Sequence, residues 1–411
     1  MSSTIKGLPF YSVALNGSTI RDYAPKLQIV QATDKHTVAF VDVLYRGVGT
    51  ANLKTSVQGS WSYWKERTPV SITYGMSPTY LAQMLGYVSS YKILKTGKDH
   101  VYPNIVSTRV QYTVIGTSMS MQSTVNKAWK HISPSSIASK IAVNNSLRAV
   151  VHEYKAAIDY RLQNVSDFKF LSQLASEIGY RFYVDNTDLY FVNPANILGK
   201  ANTRNIPQFW MYGTPGLKDT LTDFQPVVGT ITPDGGVVAK RTLAGINPYT
   251  GLYINAQQQY ELYEAFNDTV TSPTIYQNYS GGPADSYHEA KQKLSAETAR
   301  NMFWITAEAS VIGDYRVKPN SLVQFIGQAV PQTELGLWLV QSATHNMTMP
   351  APTGNQETGT YSIDMTVARD QSYTTTVTTP SVYSPVMQNV PAKLVSGKWQ
   401  STNVGAQTYA V

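Results

Sequence analysis

Two adjacent acid–base pairs, His152-Glu153 and His288-Glu289, place an imidazole beside a carboxylate, the minimum equipment for general acid–base catalysis. Neighbouring residues point to opposite faces of a strand and diverge on a helix, so local geometry argues against cooperation within either pair. The six histidines, at positions 36, 100, 131, 152, 288 and 345, show no metal-ligand spacing between any two of them. Five carboxylates cluster in one stretch: Asp159, Asp167, Glu177, Asp185 and Asp188. Two acids held roughly 5–10 Å apart can cleave a glycosidic bond, which keeps a tail-associated cell-wall hydrolase open as an alternative. Their simpler reading is capping, turns and solvated faces. The Gly-x-Ser-x-Gly elbow, the phosphate loop and the His-Glu-x-x-His motif are absent. Gly47-Val48-Gly49 lacks a third glycine in register and reads as a strand-end turn. The expectation is a chain without catalytic residues, cofactor or metal.

The chain has 411 residues, 42% hydrophobic but only 14% charged, against roughly 25% charged in an ordinary soluble domain. That length predicts two or three domains. Twenty-eight tyrosines and seven tryptophans are hard to hide in one monomer, so the composition points to large areas buried against partner subunits, where charge is depleted and aromatics are enriched. A formal charge of +7 would permit contact with polyanions, yet no long Lys/Arg run exists. The densest basic stretch, KILKTGKDH at 92–100, reads as a solvated loop, and specific nucleic-acid recognition is not expected. With no cysteine, disulfides and thiolate chemistry are excluded. The N-terminal segment lacks a signal-peptide core and no apolar run approaches a membrane span, which predicts a soluble chain made in a cytoplasm.

Residues 1–125 alternate apolar and polar positions in runs such as TVAFVDVLYRG, VSITYG and STRVQYTVIGTSMSM, the pattern of antiparallel strands in a barrel or sandwich. A short helix is expected at SPTYLAQMLGYV, with Ser77 as cap, Pro78 at its first position and Leu81, Met84 and Leu85 as its buried stripe. Between 126 and 195 the spacing turns helical. Ser133 and Pro134 open one helix, with Ile137 and Ile141 on one face. Ser166 caps a second, in which Phe168, Leu171, Leu174, Ala175 and Ile178 form the stripe and Gly179 supplies the left-handed stop. RFYV and LYFV then pair across Asp185-Asn186-Thr187-Asp188.

From 196 to 375 a loop-rich stretch holds a few strands, a charged helix follows at about 284–303, and then come the strands WITAEASVIG, SLVQFIG, LWLVQSATHNMT and TYSIDMTVARD. Residues 376–411 are rich in Thr, Ser and Pro; they cannot bury a core and suit extended docking on a partner.

The run Gln163, Ser166-Asp167, Phe170-Leu171, Leu174-Ala175 and Gly179-Tyr180 resembles the signature Gln-x-x-Ser-Asp-x-x-Phe-Leu-x-x-Leu-Ala-x-x-x-Gly of the phage late-control D family. That family includes the T-even phage baseplate hub and the hub part of the VgrG spike. Val165 stands where the family often has Glu. Pro319, Gly327, Trp338, His345 and Arg369 resemble its closing strands, with Asn320 replacing the usual Gly. The likeness covers roughly 105–195 and 285–370.

The resemblance implies a mainly β fold with a small α+β insertion: two tail-tube-like β-barrel domains (1–125 and 196–375), a helix-hairpin cassette (126–195) and a C-terminal docking tail (376–411). It also implies a homotrimer whose pseudo-six-fold ring adapts a six-fold tail tube to a three-fold central spike. Other baseplate proteins and the tape measure protein would be further partners, and the location would be a phage tail baseplate assembled in the host bacterial cytoplasm.

Overall fold

The structure is a computed structural model. It describes residues 8–20, 23–47, 64–77, 80–98, 106–154, 157–193, 206–211, 219–228, 237–247, 250–259, 274–278, 287, 289–291, 293–294, 305–327, 336–349, 359–369, 392–401 and 407–409.

The chain is mainly β, with a small α+β insertion. One large curled sheet of 13 described strands runs in the order Leu221–Val228, Ile305–Ile312, Thr360–Arg369, Gly336–Thr348, Tyr23–Ala32, Val38–Gly47, Val106–Gly116, Tyr80–Lys98, Pro69–Ser77, Leu8–Leu15 and Ser18–Thr19; Leu322–Ile326 and Gln208–Trp210 branch from it. Strands of both halves of the sequence therefore belong to one sheet. They meet where Tyr23–Ala32 pairs antiparallel with Gly336–Thr348, and Gln28 Nε2 donates to Asn346 Oδ1 across that seam at 2.9 Å.

Strict alternation explains why these segments are strands. In Ile305–Ile312, Ile305, Ala307, Ala309 and Val311 are buried while their neighbours face outward, as a pleat of period two requires. The inward side chains form one apolar core that spans both halves, from Tyr11 and Tyr74 through Tyr112 to Phe325, Trp338 and Val367.

Three expectations change. The helix expected at 77–88 is the start of the strand Tyr80–Lys98. Ala82 and Met84 alternate inward with Leu81 and Gln83 outward, and the whole run pairs with Pro69–Ser77 and Val106–Gly116, so tertiary pairing overrides the local cap signal. The basic stretch expected as a loop is the far end of that strand as far as Lys98; it is exposed, as expected, but laddered. The end of the third N-terminal run leaves the sheet as a 3-10 turn, Thr117–Gln122.

The insertion has its own core. Helix α1 (Pro134–Asn144) is capped by Ser133, which accepts from the Ser136 N–H at 3.2 Å. Helix α2 (Asp167–Glu177) is capped by Ser166, which accepts from the Lys169 N–H at 3.3 Å, and Gly179 beyond it has φ +71°, as a left-handed stop requires. Both helices lie on a sheet ordered Arg181–Asp185, Asp188–Val192, Arg148–His152, Gln407–Tyr409. Phe168, Leu171, Leu174, Phe182 and Phe191 fill the space between, each worth about 1.5–3 kcal/mol of apolar burial.

Elsewhere Val237–Ile246, Tyr253–Gln259 and Thr274–Asn278 form a three-stranded sheet. The described residues between 287 and 294 are helical, and Ala290 and Leu294 pack on Leu243, Ile254 and Ala256 of that sheet. The turn at 233–236, the ends of the 284–303 helix and residues 376–391 lie outside the described residues.

Two described parts of the C-terminal tail contact the rest of the chain. Ala392–Val395 and Lys398–Ser401 form a hairpin whose Trp399 N–H donates to the Tyr87 hydroxyl at 2.7 Å. Gln407–Tyr409 pairs parallel with Arg148–His152 of the insertion. Strand addition is thus seen within the chain itself, on the Arg148–His152 edge.

Candidate functional site

The feature that binds the molecule together is the tip of the insertion's hairpin, wedged between the two halves of the large sheet. Asn186, at φ +52°, sits in the tight turn between Arg181–Asp185 and Asp188–Val192; Asn tolerates this left-handed conformation better than other non-Gly residues. Its side chain replaces a strand partner. Oδ1 accepts from the Leu85 N–H at 2.8 Å and Nδ2 donates to the Gln83 carbonyl at 3.0 Å, while the Thr117 hydroxyl donates to the Asn186 carbonyl. The next rung is fixed by Asp34, whose N–H donates to the Phe182 carbonyl at 2.8 Å and whose carboxylate accepts from the Phe182 N–H at 3.2 Å.

The second half grips the same hairpin through charge. Lys318 Nζ lies 3.0 Å from Asp185 Oδ2, and Arg181 Nη1 donates to Asn320 Oδ1 at 2.8 Å. Burial pulls the Lys318 ammonium towards neutrality, but Asp185, Tyr74 and Asp188 outweigh it and hold the pKa above the ordinary lysine value. Asp188 is bound by the Arg148 guanidinium, with Nε to Oδ1 at 2.9 Å; burial nevertheless raises its pKa above the usual carboxylate value, the Arg148 contact opposing that rise. Asn320, with φ +64°, does more than substitute for a turn glycine, because its amide oxygen is what Arg181 reaches.

Beside this junction lies a buried polar cluster. His345 is fully buried, with Nδ1 2.9 Å from the Tyr361 hydroxyl and its ring 5.3 Å from that of Tyr74. Burial, helped by the Lys318 charge and opposed by a hydrogen bond to the Val317 backbone, pushes its pKa down to about 3. The enclosed imidazole is therefore neutral at neutral pH, packed within the core and held by the Tyr361 hydroxyl. Arg369 lies over the Trp338 ring at 4.7 Å, so two residues that carry the sequence resemblance touch each other.

Four of the five carboxylates have described side chains, and each is engaged by a cation or by hydrogen-bond donors; Asp185 and Asp188 face each other across the hairpin but are held by Lys318 and Arg148. Glu177 pairs with Arg161, and Asp185 and Asp188 serve the junction. Asp167 borders a cleft of about 280 Å³ also lined by Trp129 and Lys127, but its oxygens accept from Gln163 Nε2 at 2.7 Å and Asn145 Nδ2 at 2.9 Å, and no second carboxylate lines that cleft among the described residues. Paired-carboxylate hydrolysis needs two. Nothing is described of the Asp159 side chain. His152 Nδ1 accepts from the Asn193 N–H at 3.0 Å, and the backbone carbonyl of the neighbouring Glu153 accepts from the Tyr180 hydroxyl at 3.0 Å. His288 lies outside the described residues. Among the described residues no group of three His, Asp or Glu side chains is placed to hold a metal, and no helix is long and apolar enough to cross a membrane.

Arg148, Arg181 and Lys318 carry no sequence signal, because their partners are remote along the chain; of the junction, the turn chemistry of Asp185-Asn186 and the Asn320 turn are legible.

A tail protein from Neisseria meningitidis MC58 superimposes over 90% of this chain and 98% of its own, with a TM-score of 0.55 at 10% identity. The fold is one shared with phage tail proteins. The 43 kDa tail protein of prophage MuSo2 from Shewanella oneidensis matches over 89% of this chain and 99% of its own, with a TM-score of 0.56 at 11% identity. An E. coli component of the type VI secretion system, itself described as similar to T4 bacteriophage tail proteins, matches over 86% of this chain and 76% of its own, with a TM-score of 0.50 at 9% identity. No family model matches the sequence, and no curated protein is recognisably similar to it.

Proposed function

We propose that the chain is the structural hub of a phage-tail-type baseplate: a homotrimer that adapts a six-fold tail tube to a three-fold central spike, located in the virion and without enzymatic activity. The observation that carries this reading is the end-to-end likeness to two tail proteins, 90% of this chain on 98% of one and 89% on 99% of the other. The junction supports it physically. Three copies of a molecule with two sheet halves offer six similar surfaces to a tube, provided the halves hold a fixed relative orientation, and the wedged hairpin with the shared sheet supplies that rigidity. In this reading 1–125 and 196–375 are the two ring-forming units, 126–195 is a buttress, and the spike, the tube, other baseplate proteins and the tape measure protein are its partners.

The test is the mass in solution by sedimentation: three times the 45.4 kDa chain is expected, and a clean monomer at micromolar concentration overturns the trimer. Purified peptidoglycan incubated with the protein is expected to keep its turbidity; clearing would restore the hydrolase alternative.

A further inference from the structure

We propose that the cleft beside Asp167 is a binding site for a single neutral sugar ring, which it holds without cleaving. The proposal goes beyond the hub reading and does not depend on it.

The cleft forms where four elements meet: the 3-10 turn Thr117–Gln122 with the segment after it, the start of strand Lys127–Ile132, the end of α1 and the first turn of α2. Its buried lining is Trp129 and Ile141, 4% and 1% exposed. Its exposed lining includes the short uncharged side chains of Ser120, Ser123 and Asn144. One buried amide ties the indole to the carboxylate. Gln163, 1% exposed, accepts from Trp129 Nε1 at 2.9 Å through Oε1 and donates through Nε2 to Asp167 Oδ1 at 2.7 Å, while Asn145 Nδ2 donates to Asp167 Oδ2 at 2.9 Å. The carboxylate is thus fixed before any ligand arrives, which lowers the ordering cost of binding.

The chemistry of the lining selects the ligand. Among the described residues it carries one cation, Lys127, and one carboxylate, Asp167. The Lys127 Nζ is drawn over the Trp129 ring, 4.0 Å from its centroid. An anion would meet the Asp167 carboxylate, and a metal ion would find a single ligating acid. A neutral ligand remains, and it must bring donors. Each Asp167 oxygen accepts one hydrogen bond from the protein, and a carboxylate has about four acceptor positions, so each oxygen keeps one for a ligand hydroxyl. The serine hydroxyls and the Asn144 amide both donate and accept, while Val125, Ile141 and the indole meet C–H groups. A pyranose combines a hydroxylated edge with a C–H face. At about 280 Å³ the cleft falls just under the roughly 300–1,000 Å³ of small-molecule sites, room for one ring. Two-acid cleavage of a glycosidic bond needs a second carboxylate, so binding without turnover is expected.

The test is saturation-transfer NMR on the full-length chain, with glucose, galactose and N-acetylglucosamine as probes and inorganic phosphate as competitor. At least one sugar is expected to give a saturable signal with a dissociation constant in the millimolar range, as suits about a dozen heavy atoms in a shallow site. Asn144→Ala is expected to weaken that sugar about tenfold. Ser123→Tyr, which adds bulk at the exposed lining, is expected to abolish the signal. Both residues are exposed, so the melting temperature is expected to stay at the parent value; should either variant melt early, Ser120→Tyr takes its place. No saturable signal from any of the three sugars overturns the site, as does a signal that the variants leave unchanged, which places the sugar elsewhere. Displacement of the sugar by an equal concentration of phosphate assigns the cleft to an anion and overturns the neutral-ligand reading. None of these outcomes bears on the trimeric mass, so the hub reading stands or falls separately.

Discussion

The Leu85 N–H donates to Asn186 Oδ1 at 2.8 Å, so a strand of the large sheet takes one of its hydrogen bonds from a side chain that sits 101 residues later in the turn of another sheet. Removing that side chain strands a buried donor, which costs about 1–3 kcal/mol. Asn186→Gly keeps the left-handed turn and loses the hydrogen bonds, whereas Asn186→Ala loses both and is expected to cost roughly 1 kcal/mol more. Urea unfolding of the two variants separates the terms. A Gly variant as stable as the parent would mean that the wedge contributes no hydrogen-bond energy.

Leu171 and Leu174 are 0% and 1% exposed in the insertion's core. Truncation of either to Ala is expected to cost about 2–5 kcal/mol, read as a lower denaturation midpoint. Asp167 carries more than the helix-start interaction of about 0.3–1 kcal/mol that its position alone would give, because Gln163 and Asn145 both donate to it. Asp167→Ala is expected to cost about 1.5–3 kcal/mol.

His345 makes folding sensitive to acid. Its folded pKa of about 3 lies below the free value of 6.5, so the unfolded chain binds the proton that the folded chain refuses. The stability it contributes is complete above about pH 6.5 and is lost as pH falls towards 3, with a slope of up to about 1.4 kcal/mol per pH unit. Tyr74, Tyr361 and Lys318 surround it; both tyrosines have raised pKa values, so they stay neutral through this window, and Lys318 stays charged. Thermal melts between pH 7 and 4 are expected to fall less steeply for His345→Gln than for the parent, and parallel curves would assign the acid sensitivity elsewhere.

Gly86 tests the strand that replaced an expected helix. A Cβ there would sit 2.4 Å from the Ile115 carbonyl oxygen of the paired strand, a clash with backbone that no rotamer relieves. Gly86→Ala is expected to destabilise by about 1–3 kcal/mol or more. In a helix the same change would stabilise by about 0.5–1 kcal/mol, so the sign of the change in melting temperature decides.

The elements that local rules govern were legible. Ser133, Ser166 and Gly179 marked the helix ends, and Asp185-Asn186 marked the turn, because caps and turns are decided within a few residues. Ser77-Pro78 carried the same marks and misled, since the pairing of Tyr80–Lys98 with strands on both sides outweighs a cap that no helix follows. The junction was not legible: Lys318 finds Asp185 across 133 positions and Arg181 finds Asn320 across 139, and nothing near either residue announces its partner. The Pro319-Asn320 turn and the Trp338, His345 and Arg369 positions are legible only through their likeness to a family pattern, and their contacts only in the fold.

The seam between Tyr23–Ala32 and Gly336–Thr348 sets an order of events during synthesis. One edge of Tyr23–Ala32 is satisfied early by Val38–Gly47, but the other waits for a strand made some three hundred residues later. At about 5–20 residues per second the ribosome leaves that edge unpaired for roughly 15–60 s. During this interval the half-built sheet carries an apolar face, with Leu27 and Ile29 destined for full burial, beside an open row of hydrogen-bonding groups, the combination that invites adhesion between nascent chains. Yield in a foreign host is therefore governed by what shields the first forty residues while the rest is translated.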